Sequence, residues 1–185
     1  PDALTIAMQV ASALDAAPMA RLMAERALLP EGRTLRDVLS SDTWKRLSKR
    51  LSAAGLDPQS FLAVKPWVVA LTLQVAELRR QGFASERGVD LSIARVAAES
   101  GKRIVGLETA AAQLDTLDSM PLSTQERLLR ETLAEGPPSG ADALSAMLDA
   151  WRKGDAARIE AQVFAGQGDD PETQQYFEIF YFERN

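Results

Sequence analysis

Apolar and polar positions follow a helical period along most of the chain, and breaks marked by glycine or proline cut that pattern into short segments. The clearest segment is Ser41 to Ala54. Trp44, Leu47 and Leu51 form one stripe, Lys45, Arg46, Lys49 and Arg50 the other face, and Gly55 follows as a stop. The four cations read as a solvated face or as a surface for an anionic partner, and the solvated face is the simpler reading. Before it, Thr34 to Leu39 has Thr34 as N-cap candidate and Asp37 three residues on, a weak capping box. Met19 to Leu29 sets Leu22, Met23 and Leu29 at helical spacing after Pro18, which marks a turn or a first helical turn, and Pro30-Glu31-Gly32 ends it. The opening run Ala3 to Val10 is β-branched enough for a buried strand. Helix competes there, because Ala11 to Ala17 continues without a break.

Asp57-Pro58 predicts another helix start in the usual N-cap and N1 order. Phe61 to Leu78 is the most apolar stretch. Lys65 and Pro66 in its interior, and Arg79-Arg80 just beyond, argue against a membrane span. Pro66 instead predicts the start of a helix apolar nearly all round, the central buried helix of the domain. Lys65 before it is either a surface lysine or a charge aimed into a pocket, and the surface reading is the plainer one.

The stretch from Gly88 to Leu114 organises the rest. It predicts a turn at Gly88-Val89-Asp90, a short helix through Ala94, Ala97 and Ala98, and a stop at Gly101. A strand from Arg103 to Leu107 then runs into Glu108 and a helix over Thr109 to Leu117. Such a unit puts whatever follows the strand at its carboxyl end, where open α/β sheets hold ligands. Further on, Ser123-Thr124-Gln125-Glu126 has the form of a capping box and predicts a helix to about Glu135. Residues 136–140, Gly-Pro-Pro-Ser-Gly, read as a flexible linker. Two helices follow: Ala141 to Arg152, with Leu144, Met147, Leu148 and Trp151 in register, and Ala156 to Ala165, with Ile159 and Val163 one turn apart. Asp170-Pro171 opens a last helix bearing Tyr176, Phe177, Phe180 and Tyr181, a stripe that core packing explains most simply.

The expected fold class is α/β, predominantly helical, with a small sheet of strands near 4–10 and 103–107 and a large helical insert. Without the first strand it would be nearly all-α. Its 185 residues make one domain, read here as a fragment of a larger one. Net charge of -5 and the lack of a dense basic stripe argue against nucleic acid as a partner. The chain has no cysteine, which excludes disulfides and thiolate chemistry, and no histidine, which removes the commonest general base and metal ligand. Chemistry by this chain alone rests on carboxylates, lysine, arginine, hydroxyls and backbone.

The order LPEGRTLRDVLS, KPWVVALTL, GVDLSIARVAAESGKRIVGLET with QLDTL, PLSTQERLL, AWRKGDAARIE and a terminal ERN resembles the TraB/PrgY/GumN family, related to the Tiki proteins. The resemblance runs from about Leu29 to Asn185. It implies a fold of the EreA/ChaN-like and Tiki-like kind, with a helical insert in a sheet that carries the site. It also implies a metal-dependent hydrolase superfamily, periplasmic or secreted, in which Tiki members are divalent-metal proteases. The family's two G-x-x-H motifs are absent here. Where the family has an aspartate-led strand closing on glutamate, Asp2-Ala3-Leu4-Thr5-Ile6-Ala7 aligns and puts Ala7 in the glutamate's position.

The family positions that remain are Lys65, Asp90, Glu108, Arg184 and Asn185. As the resemblance implies, Glu108 and Asp90 are hard oxygen donors for Mn²⁺ or a similar divalent ion in a complete domain, or a second shell to its ligands. Glu108 could also act as general base on a metal-bound water, and Arg184 could neutralise an oxyanion. Each has a plainer alternative: Asp90 as a turn residue or N-cap, Glu108 as a partner of a helix dipole, Arg184 as a surface ion pair. Two functions stay open. One is a peptidase or related hydrolase acting on a peptide or small molecule, with this chain alone inactive and binding no metal. The other is a non-catalytic helical module that binds peptides or signals. A sheet edge left exposed would also favour a homodimer.

Overall fold

Strand β1 (Ala3–Ile6) and strand β2 (Arg103–Gly106) pair in parallel, and most of the other described residues are helical. The computed structural model of the chain describes residues 3–6, 16–106, 109–134 and 140–164, together with Gln174 and Glu178. Parallel neighbours need a crossover. Here it contains α1 (Ala16–Arg26), α2 (Leu35–Val38), α3 (Ser41–Ala53), α4 (Pro66–Arg80) and α5 (Val89–Glu99). After β2 come α6 (Ala110–Asp118), α7 (Leu122–Thr132), α8 (Gly140–Lys153) and α9 (Ala156–Val163). The predominantly helical α/β reading is therefore the observed one, and the two expected strands are neighbours. Residues 7–10 of the first expected strand, residue 107 of the second, residues 136–139 of the expected linker, and the terminal aromatic stripe Tyr176, Phe177, Phe180 and Tyr181 lie outside the described residues, while Gly140, the last linker residue, instead opens α8.

Local chemistry accounts for most boundaries. Thr34 and Asp37 do cap α2: the Thr34 backbone N–H donates to Asp37 Oδ2 at 2.8 Å, and its hydroxyl at 2.7 Å. Helix α3 starts on Ser40, whose Oγ accepts from the Thr43 N–H, and stops at Gly55, which takes a φ of +74° that a Cβ would disfavour. Helix α4 starts at Pro66, with Lys65 as N-cap, and α6 starts on Thr109, whose hydroxyl accepts from the Ala112 N–H.

Several expectations give way to tertiary bonding. The first helix stops at Arg26 instead of reaching Leu29. Leu28 bridges Val64, Leu29 N–H donates to Ala63, and Lys65 N–H donates to Ala27, so this stretch leaves the helix for a short antiparallel pairing. Asp57-Pro58 opens only a single 3₁₀ turn, Pro58–Phe61. The S-x-x-E sequence is not a capping box. Helix α7 begins two residues earlier than a Ser123 cap would set it, at Leu122 behind Pro121, and Glu126 is drawn across to Ser40. Its Oε1 accepts the Ser40 N–H at 2.8 Å and the Ser40 hydroxyl at 2.6 Å. Burial by itself raises the Glu126 carboxyl, but the bonds from the Ser40 and Thr43 hydroxyls and the Ser40 N–H outweigh it and hold the pKa below its ordinary value.

The core lies where α4 and α7 run side by side. Leu29, Leu35, Leu39, Leu47, Leu51, Val69, Ala70, Leu73, Leu129 and Leu133 fill it, so the Leu47–Leu51 stripe of α3 faces inward as expected. Two of the four cations on the other face tie the fold together: Arg46 donates to the Leu133 carbonyl at 2.9 Å, and Arg50 pairs with Glu77. Helix α4 is not buried throughout. Its first half is, but Val75 and Leu78 in the second half are 46% and 39% exposed.

Glu77 gathers Arg80, Gln81 and Arg50, and the hydrogen bond from Arg80 leads in holding its carboxyl at about 2. A depressed folded pKa contributes stability that is complete above the unfolded value, ordinarily 4.5, and is lost as pH falls through about 2. Glu77→Gln is therefore expected to melt lower than the parent at pH 7, with the gap closing between pH 4.5 and 2. Thermal unfolding across that range checks it. A gap that persists unchanged at pH 2 would contradict the assignment.

Candidate functional site

Parallel strands finish at one edge. The register pairs Ala3 with Arg103, Leu4 with Ile104, Thr5 with Val105 and Ile6 with Gly106, so the chain leaves both strands side by side. Helix α5 packs on both strands, with Ala94 and Ala97 as its buried positions. A tight return at Gly101, φ +68°, joins it to β2, with the Lys102 N–H donating to Ala97 and the Gly101 N–H to Ala98. The helix therefore runs back along the sheet. At about 15 Å against about 10 Å for the strand, its first turn reaches the end where β2 finishes. Asp90 stands in that turn, exposed. It is not the cap, a position that Gly88 holds, so its charge acts on the helix N-terminus from within the first turn.

Lys65 does not behave as a surface lysine. Its side chain is only 19% exposed, and its Nζ donates to Asp118 Oδ1 at 2.5 Å. The indole N–H of Trp67, a residue with no exposure at all, donates to the same oxygen at 3.3 Å. Proline sets this up. Pro66 at the first helical position turns Lys65 out as N-cap, and Trp67 follows one position into the helix. Trp67 is then enclosed by Leu114 and Met120, with Leu22, Met23, Leu71 and Leu117 around them. One turn back on α6, Asp115 accepts from Arg26 at 2.7 Å and ties the same helix to α1.

Of the positions singled out in the sequence, Lys65 and Asp90 are described, and the structure does not bring them together. Lys65 is bound to the trailing end of α6, and Asp90 lies on the first turn of α5. Ala7, Glu108, Arg184 and Asn185 lie outside the described residues. Ala7 directly follows β1, and Glu108 directly precedes the α6 cap Thr109 in the sequence. Sequence reasoning overlooked Asp118. The signal for it is in QLDTLD, where two aspartates share helical spacing with Leu114 and Leu117. A carboxylate beside apolar positions of one short helix needs a cation nearby.

A profile of one protein family matches residues 1–185, the whole chain, as TraB/PrgY/gumN. The chain belongs to the TraB/PrgY/gumN family. Among curated proteins, YbaP of Escherichia coli K12, described as uncharacterized, is 26% identical over 93 residues, covering 50% of this chain and 35% of YbaP. YbaP of Shigella flexneri, also uncharacterized, matches to the same extent. The alignment thus spans about a third of the length of these relatives. No solved structure shows significant similarity to this TraB-family chain. Among the described residues no helix is long and apolar enough to cross a membrane.

Proposed function

We propose that this chain contributes the helical insert and two neighbouring strands of a hydrolase acting on peptides, with its reacting groups at the edge where β1 and β2 end. The observation that carries the reading is the parallel pairing of the two strands, with α5 returning its first turn to the same end. Open parallel sheets hold ligands at that end because loops converge there and helix N-termini face it. In this reading Glu108 takes the proton of the attacking water and returns it to the leaving amine as the C–N bond breaks, Arg184 neutralises the developing oxyanion, and Asp90 adds negative charge at the rim. Family resemblance adds a divalent ion such as Mn²⁺. The described residues do not fit one by themselves, since no three carboxylates among them gather and Asp90 is a single exposed donor. Ion binding here would need Glu108 and further ligands, and no step is derived through it.

A chain without histidine, whose described residues gather no three carboxylates, is expected to cleave no peptide alone. Incubating the purified 185-residue protein with Mn²⁺ and a mixed peptide library, read by mass spectrometry, checks this. Any metal-dependent cleavage would overturn it. The test of the wider reading is the same assay on the product of the full coding sequence. Cleavage there that Glu108→Gln reduces by about 10³-fold supports the hydrolase, and cleavage indifferent to Glu108 removes its role.

A second reading, a non-catalytic module binding peptides or signals, draws on α5. Val89, Ile93 and Val96 form an exposed apolar stripe there, 58%, 45% and 62% exposed. Saturable peptide binding lost in Ile93→Asp, with no cleavage by either form, would favour it.

A further inference from the structure

Helix α6 has only nine residues, too few to persist on its own propensity. It is held near its trailing end by two carboxylates three residues apart, each bonded to a different helix. Asp115 meets Arg26 at the end of α1, and Asp118 meets Lys65 at the start of α4. The two pairs differ in setting. Asp115 is 57% exposed, so water screens its bond to Arg26 and that pair holds little. Asp118 and Lys65 are 24% and 19% exposed, and the oxygen that takes the lysine also takes the Trp67 indole N–H. Trp67 is enclosed, so Asp118 couples the lysine to a side chain that cannot move without opening the smaller core cluster. The leading end of α6, about 12 Å away, is the Thr109 cap, three residues past the described end of β2.

We propose that Asp118 is a positioning residue for the edge where β2 ends, acting through Lys65 and Trp67 to hold α6 and the cap at its head in place. This deepens the hydrolase reading and rests on it for the importance of that edge, but the geometry is tested without any activity. Loosening the trailing end of so short a helix frays it as a unit, so the Ala112 N–H, which the Thr109 hydroxyl accepts, reports on the head.

The experiment is NMR on the 185-residue protein and its Asp118→Asn, Asp118→Glu and Lys65→Met variants. Asparagine keeps the shape and loses the charge, so a folded variant is available even if alanine is not tolerated. Two signals are read: the Trp67 indole resonance, assigned through Trp67→Phe, and the exchange rate of the Ala112 amide. In D118N and K65M the indole resonance is expected to shift and Ala112 to exchange about tenfold faster, while core amides such as Leu47 and Leu51 stay slow. D118E, which restores the charge, should return Ala112 to within about twofold of the parent. An indole that shifts while Ala112 is unchanged would overturn the proposal, because the cluster would then be a local tie only. Unmoved indole signals in both variants would overturn it too. A Glu108 that proves dispensable for cleavage leaves these amide signals as they are, so the two readings fail separately.

Discussion

Replacing Trp67 with alanine is expected to destabilise this protein more than any other single truncation among its described residues. Its side chain has no exposure, is the largest of those fully buried, and sits between Leu114, Met120 and the apolar side chains of α1 and α6. Removing it deletes the transfer free energy of an indole and leaves a void that the surrounding helices close only in part. Such changes cost about 3–5 kcal/mol. A second loss adds to this, because the Trp67 N–H is one of two donors to Asp118, which would keep Lys65 alone. Against a total stability of about 5–15 kcal/mol the change is large. A chain of this length should lose roughly 10 °C of melting temperature. Trp67→Phe keeps most of the volume and drops only the hydrogen bond, so it should recover most of that loss. Melting of the two variants by circular dichroism measures both, and a Trp67→Ala melting point within a degree or two of the parent would show that the smaller cluster contributes little.

Leu129→Ala is expected to follow closely. Leu129 has no exposure and lies on α7, which forms with α4 the most extensive helix contact of the fold. Truncation there opens a cavity among Val69, Ala70, Leu73 and Leu133, for a cost of about 2–5 kcal/mol. The comparison that gives this meaning is Val96→Ala on α5. Val96 is as apolar by type but 62% exposed, so its change should fall within about 0.5 kcal/mol. Chemical denaturation reads both. Equal losses at the two positions would mean that the Val96 face is covered in solution, which would itself favour the binding-module reading or a dimer.

Much of the architecture was legible along the chain because it depends on neighbours in sequence. The Trp44–Leu47–Leu51 period, the Thr34–Asp37 cap, Pro66 as a helix start and the glycines after α3 and α5 are interactions within a turn or two. Their outcome therefore follows from local spacing. Both strands and the family were legible as well, the strands from β-branched runs, the family from an ordered series of short segments.

Tertiary structure decided what depends on residues far apart. Glu126 had the spacing of a capping residue, yet Ser40, 86 positions away, offers it two donors, which is more than its own helix end does. Lys65 had the look of a solvated side chain, yet Asp118, 53 positions on, holds it. A charge left at that depth without a partner would be costly, and which partner is at hand depends on how α4 and α6 cross. Period and propensity act over a few residues and are written in the sequence. Charge pairing across helices, and the common edge at which two strands close on one another after a long helical crossover, are fixed only when the chain is packed.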